Sequence, residues 1–147
     1  MHITRYTDYS LRVLIYLAIN NQQLSTINDI AKSYSISKNH LMKIVQQLSH
    51  RGFVLAIRGK NGGIKLNRAA NEINIGNLVR EIEDKNKLVE CFGGDNQCVI
   101  TPSCQLKKIF AQAQESFFKT LDDYTLENLV GGQYKNTLTE LLIQDVS

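Results

Sequence analysis

The sequence predicts a mainly α fold with a small β-wing, a winged helix-turn-helix domain followed by a long dimerisation helix. Three observations predict it. A short amphipathic segment, a tight turn and a longer amphipathic segment follow one another between residues 27 and 50. A hairpin pattern with a Gly-rich basic tip, RGKNGG at 58–63, comes directly after them. Positive charge gathers in the same half: residues 1–70 hold ten Lys/Arg against two acids, whereas residues 71–147 hold seven against twelve. A basic half joined to an acidic half indicates that one end of the chain meets a polyanion.

The elements follow in order. Residues 4–20 form a helix that is apolar nearly all round in its second half, the pattern of a helix buried between others. After the polar break NNQQ at 20–23, Ser25 or Thr26 caps a short helix over 27–34 with Ile27, Ile30 and Ala31 on one face. Ser35-Ile36-Ser37 is a tight turn, and Ser37 caps the next helix. There Leu41, Ile44, Val45 and Leu48 recur at i, i+3, i+4 and i+7, and Gly52 ends the run as a left-handed cap. Strands are expected at 53–57 and 64–67, joined by the RGKNGG turn. A helix over 73–84 turns Ile75, Leu78, Val79 and Ile82 inward. Thr101 then caps a long helix with Pro102 at its first position, where the missing N–H costs nothing. Its stripe of Leu106, Ile109, Phe110, Ala113, Phe117 and Leu121 either packs on the domain or is buried against a second copy. Thr125 caps one more short helix at 126–130, and residues 133–147 read as a loosely attached tail. The expected organisation is a DNA-binding domain at 1–70, a connecting helix and cysteine loop at 71–104, a dimerisation region at 101–130 and a C-terminal tail at 131–147.

Composition narrows the class. A chain of 147 residues with 43% hydrophobic content and a single Pro fits one globular domain with an appended element. The longest apolar run, Val13 to Ile19, falls far short of the roughly 18–20 residues of a membrane span. It also lacks the features of a signal peptide. The expected location is the cytoplasm, where cysteines stay reduced.

The helix at 37–50 is the expected recognition helix, because an α-helix fits the major groove and its N-terminal residues reach base edges. Lys38, Asn39 and Lys43 are the candidate readers: Asn pairs with adenine through two hydrogen bonds and Lys reaches guanine. His40 either joins them or covers the helix end. Gln46 and Gln47 are expected to be solvated. At the wing tip, Arg58, Gly59, Lys60 and Asn61 suit a minor groove or its flanking phosphates, with Gly59, Gly62 and Gly63 allowing a close backbone approach.

The three cysteines are Cys91, Cys98 and Cys104, spaced C-x6-C-x5-C on a Gly-bearing loop. An odd set of thiols does not pair off into disulfides. Structural zinc sites use C-x2-4-C pairs, absent here. The long gaps better suit an iron–sulfur cluster, whose iron corners lie further apart and take thiolates. Cys104 falls at the third position of the helix capped by Thr101, where free N–H groups and the helix dipole favour an anion. A fourth ligand is missing. Position 107 is Lys; the histidines are His2, His40 and His50; Asp95, Glu90 and Asp8 are carboxylate options.

The segments MHITRYTDYSLRVLIYLA, INDIAKSYSISKNHLMKIVQQLSHRGFV and RGKNGGIKL, together with the cysteine trio, resemble the bacterial winged-helix repressors that carry iron–sulfur clusters. The match covers residues 1 to about 130 and is strongest to the nitric-oxide-sensing members. The resemblance implies a homodimer on a palindromic double-stranded DNA operator and a [2Fe–2S] or [4Fe–4S] cluster on Cys91, Cys98 and Cys104. It also implies that Asp8 completes the site from the other subunit. Relatives that regulate cluster assembly carry a His just after the third Cys, and Lys107 departs from that pattern. The implied activity is repression released when nitric oxide nitrosylates or destroys the cluster. The alternative is a winged-helix regulator that responds to iron–sulfur status or thiol oxidation. An enzyme with a Cys nucleophile has no accompanying His or orienting group in the sequence. A scaffold whose basic half meets acidic proteins is the remaining reading.

Overall fold

The computed structural model describes residues 2–83, 88–89, 92–94 and 96–143. Among them, seven α-helices and one hairpin follow in order: α1 Arg5–Ile19, α2 Ile27–Tyr34, α3 Lys38–His50, β1 Val54–Ile57, β2 Gly63–Leu66, α4 Ile75–Glu83, α5 Gln105–Asp122, α6 Leu126–Val130 and α7 Tyr134–Leu142. This is the expected mainly helical architecture with a two-stranded wing.

The sequence explains where the helices begin. Thr4, Thr26 and Ser37 sit in non-helical conformations, and their hydroxyls accept from the amides of Thr7, Asp29 and His40. Each bond satisfies a donor that the first turn leaves orphaned. Thr26, rather than Ser25, caps α2. Arg51 is the C-cap of α3 and is followed by Gly52 at φ 85°, and Thr125 forms a reciprocal capping box with Asn128 at α6.

α1 is the central beam. Val13, Leu14, Leu17 and their neighbours are buried, and the helix packs against α3, α4, α6, α7 and β2. Ile30 of α2, Leu41, Ile44 and Leu48 of α3, and Phe53, Val54 and Ile64 of the wing join the same core. The hairpin is antiparallel, pairing Val54 with Leu66 and Ile57 with Gly63. Ser25, just before α2, adds a bridge to β2: its N–H donates to the Ile64 carbonyl at 2.9 Å and its carbonyl accepts from Ile64 at 2.7 Å. Ser25 is therefore a structural tie, and its burial follows.

α4 fastens the second half to the first. One oxygen of Glu83, Oε1, accepts from Thr4 N at 2.9 Å, Thr4 Oγ1 at 2.8 Å and Thr7 Oγ1 at 2.6 Å. A carboxylate at the start of a helix is favoured by the dipole, so the last residue of α4 clamps the first turn of α1. On the other side, Arg80 forks onto Asp122 at 2.5 and 2.9 Å and lies over the Phe118 ring at 4.9 Å. Gly76 makes this approach possible: a Cβ there would fall 1.8 Å from Asp122 Oδ1.

Two expectations change. Thr101–Ser103 form a 3-10 turn instead of the start of the long helix, and Cys104 becomes the N-cap residue of α5. Thr101 cannot cap because its hydroxyl is spent elsewhere, donating to the Cys98 carbonyl and accepting from Asn96. Residues 134–142, read as part of a loose tail, form α7. Leu142 is buried and its carbonyl accepts from Ser33 Oγ of α2 at 2.7 Å.

Candidate functional site

The helix-turn-helix presents the face that the periodicity requires. With Leu41, Ile44, Val45 and Leu48 buried, Lys38, Asn39, Met42, Lys43, Gln46 and Gln47 of α3 are exposed. Lys38, Asn39 and Lys43 lie on the first turns, the end that enters a groove. Arg58, Gly59, Lys60 and Asn61 are all exposed at the wing tip. Gly59 adopts φ 109°, and a Cβ on Gly62 would lie 2.1 Å from the Ile57 carbonyl oxygen, so this turn needs both glycines.

His40 behaves differently from its neighbours. Its ring is half-buried and meets the Tyr9 ring edge-on, with centroids 5.1 Å apart at 60°. Arg12 lies over Tyr9, its guanidinium 5.1 Å from the Tyr9 centroid and 5.9 Å from that of Tyr34. Arg12 also grips both carboxylate oxygens of Asp8, Nε to Oδ1 at 3.1 Å and Nη2 to Oδ2 at 3.0 Å. The Tyr34 hydroxyl donates to the Arg12 carbonyl at 2.9 Å. Burial pushes the Tyr34 hydroxyl pKa up to about 12, against the opposing pull of Arg12. Asp8, the carboxylate singled out in the sequence, is thus joined by contacts to the start of α3. Sequence reasoning passed over Arg12, although its i, i+4 spacing from Asp8 is the signal for such a pair.

Of the cysteines, Cys98 is exposed and Cys104 half-buried, both as free thiols. Cys91, Glu90 and Asp95 lie outside the described residues. Asn96 organises the turn that carries Cys98: its Oδ1 accepts from Cys98 N at 3.0 Å and its Nδ2 donates to Thr101 Oγ1 at 2.7 Å. Thr101 Oγ1 donates to the Cys98 carbonyl at 2.8 Å, and the Thr101 carbonyl accepts from Cys104 N at 3.3 Å. This is an Asx-type turn, and Asn two residues before Cys98 is its sequence signal. The donor chemistry fits iron, which takes thiolate sulfur. Among the described residues no three His, Cys, Asp or Glu side chains converge, so Asp8 does not meet Cys98 and Cys104 within one chain.

The cysteine turn runs straight into α5, whose first half is open to solvent. Leu106 and Ile109 are 52% and 57% exposed, and Val99 and Ile100 before them 90% and 60%. The second half is seated, with Phe117, Phe118 and Leu121 packed against the core. The stripe therefore divides, half on the domain and half uncovered.

Comparison with known proteins matches the model of the Rrf2 family, described as iron-dependent transcriptional regulators, to residues 3–132. The HTH-type transcriptional regulator NsrR of Bacillus licheniformis is 51% identical over 135 residues, covering 90% of this chain and 94% of the relative. NsrR of Oceanobacillus iheyensis is 49% identical over 132 residues, covering 88% and 90%. Among solved structures, T. potens IscR superposes with a TM-score of 0.71 at 21% identity, covering 88% of this chain and 86% of that one. An oxidised form of Staphylococcus aureus CymR gives 0.71 at 25% identity, covering 90% and 98%. Among the described residues no helix is long and apolar enough to cross a membrane. The half-identical relatives and the match across nearly the whole chain place this protein in the Rrf2 family as a DNA-binding transcriptional regulator.

Proposed function

We propose that the protein is a cytoplasmic, homodimeric repressor that senses nitric oxide through an iron–sulfur cluster and releases a palindromic operator in response. One observation carries the reading. The turn bearing Cys98 and Cys104 is continuous with the uncovered apolar face of α5, while among the described residues Asp8, Cys98 and Cys104 do not come together as one group in the single chain. A second copy seated on that face would cover Leu106 and Ile109 and bring its own Asp8 towards the cysteines.

Cys98 and Cys104, with Cys91, would hold the cluster, and the partner's carboxylate would complete the ligand set. When bound, the cluster supplies iron with which nitric oxide reacts. The residues do the rest. Asp8 engaged across the dimer ties α1 of one copy to the cysteine turn of the other. That tie holds two α3 helices at the separation of successive major grooves, roughly 34 Å. Asp8 returned to Arg12 alone removes the tie. A change of 10²–10³-fold in operator affinity corresponds to about 3–4 kcal/mol of coupling.

The test is anaerobic purification with a visible spectrum, iron and sulfide counts, molecular mass in solution and operator binding before and after a nitric-oxide donor. A coloured dimer that loses operator affinity on treatment is expected. Cys98→Ala and Cys104→Ala should each be colourless and weak on the operator; tight, donor-insensitive binding by either would falsify the scheme. A second reading rests on the free thiols, exposed Cys98 especially: direct thiol oxidation as the signal. A colourless wild-type protein whose binding responds to peroxide would favour it.

A further inference from the structure

The wing tip holds the one Asn-Gly pair in the chain, Asn61-Gly62. The turn is built around it. Gly62 N–H donates to the Gly59 carbonyl at 3.1 Å, closing a β-turn with Lys60 and Asn61 at its two central positions. Gly62 is not exchangeable: a Cβ there would lie 2.1 Å from the Ile57 carbonyl oxygen and 3.0 Å from that of Gly59. The close approach that demands a glycine also removes the side chain that would shield the Gly62 amide. Asn61 therefore carries its carboxamide beside the least hindered backbone nitrogen a neighbour can offer. The outer side of the turn is open. Arg58, Gly59, Lys60 and Asn61 are exposed, and a Cβ on Gly59 would meet nothing within 4 Å. Opening the turn breaks one hydrogen bond and moves no buried side chain between 58 and 61.

We propose that Asn61 is a deamidation site and that its conversion is a slow, one-way weakening of the wing. In the opened turn, Gly62 N gives its proton to solvent base and attacks Asn61 Cγ. The Cγ–Nδ2 bond breaks, ammonia leaves with a proton from solvent, and a cyclic succinimide remains. Water then adds at either ring carbonyl, leaving aspartate or isoaspartate at this position. Arg58 and Lys60, close by in the chain, favour the negative charge on the attacking nitrogen. The product sets a carboxylate beside those two cations, where it offsets one charge and repels phosphate. DNA acts in the other direction. Phosphate on the wing neutralises both cations and holds the turn closed, so a bound copy is protected and a free copy ages. The chemistry at Asn61 stands alone; its consequence for DNA rests on the wing being a contact.

The experiment ages the full-length protein at neutral and at mildly alkaline pH, alone or with excess DNA duplex, and maps peptides by mass and by isoaspartyl methylation. Acid at position 61 should build up faster than at any other Asn, faster as pH rises, and several-fold more slowly with duplex present. Asn21, also exposed but followed by Gln22, is the internal standard. Equal rates at Asn61 and Asn21 overturn the site, and a rate unmoved by duplex overturns the protection. Asn61→Gln, whose longer side chain closes a less favourable ring, should not age at this position. Asn61→Asp, and aged protein separated by ion exchange, should both bind an operator and an unrelated duplex about 3- to 10-fold more weakly than fresh protein. Fresh-protein affinity in both overturns the consequence for DNA, whatever the ageing rates. No nitric-oxide donor enters, so failure of the sensing function leaves each of these outcomes decisive.

Discussion

α1 and α5 are the two longest helices among the described residues, and they are built to opposite specifications. α1 spans 15 residues, eight of them buried. α5 spans 18 residues and buries none fully. Both carry apolar stripes, so hydrophobic pattern does not distinguish them. The difference is whether the chain itself supplies the covering surface. α1 is enclosed by its own neighbours, whereas α5 offers Leu106 and Ile109 to solvent beside the cysteine turn. One half of the molecule finishes its packing alone, and the other presents a face to be finished.

The same substitution in the two helices should separate them most sharply. Leu14→Ala, at a fully buried site, should cost about 2–5 kcal/mol of folding stability. Leu106→Ala should leave the unfolding midpoint of the dilute monomer within about 0.5 kcal/mol of wild type. Leu106→Ala should instead shift the monomer–dimer equilibrium by sedimentation. Equal thermodynamic losses in denaturant would erase the contrast.

The footing of α5 gives a smaller effect. Gly76→Ala forces Asp122 away from Arg80, and overpacking of this kind costs about 1–3 kcal/mol. Denaturant melts of Gly76→Ala and Asp122→Asn should both show a loss, larger for the former. A neutral Gly76→Ala would mean that α5 does not depend on that close approach. The smallest expected change is at the wing. Arg58→Gln with Lys60→Gln should weaken every duplex alike. The slope of log affinity against log salt should flatten by about 0.9 for each phosphate the two cations neutralise. An unchanged slope would take the wing off the DNA.

Local chemistry made the first 70 residues readable. Thr26, Ser37 and Gly52 act within four residues of themselves, and the i, i+3, i+4, i+7 spacing of α3 reports its buried face directly. The start of α5 was not readable in the same way. Thr101 followed by Pro102 has the pattern of a helix cap, and only the bonds to Asn96 and Cys98 reveal that the hydroxyl is already committed. α7 was masked by Gly131 and Gly132 before it, and its reason to fold is remote: it rests on α1, α2 and α6. His40 stayed open between reading bases and covering the helix end, because nothing in its own segment announces Tyr9 31 residues earlier. For Cys98 and Cys104 the ligand chemistry was plain from residue type, while the Asn96 turn that organises Cys98 left only a weak local signal, an Asn two residues before it.

The bridge between Ser25 and Ile64 makes the wing and the helix-turn-helix a single caliper. Its two points, the α3 end and the wing tip, are linked because β2 is tied to the residue just before the α2 cap. On the dimeric reading proposed above, each copy would swing on DNA as a unit, with β2 held to the start of the helix-turn-helix by the Ser25–Ile64 bridge. Operator choice would then be tuned by the angle between two such units and by the tip of α3.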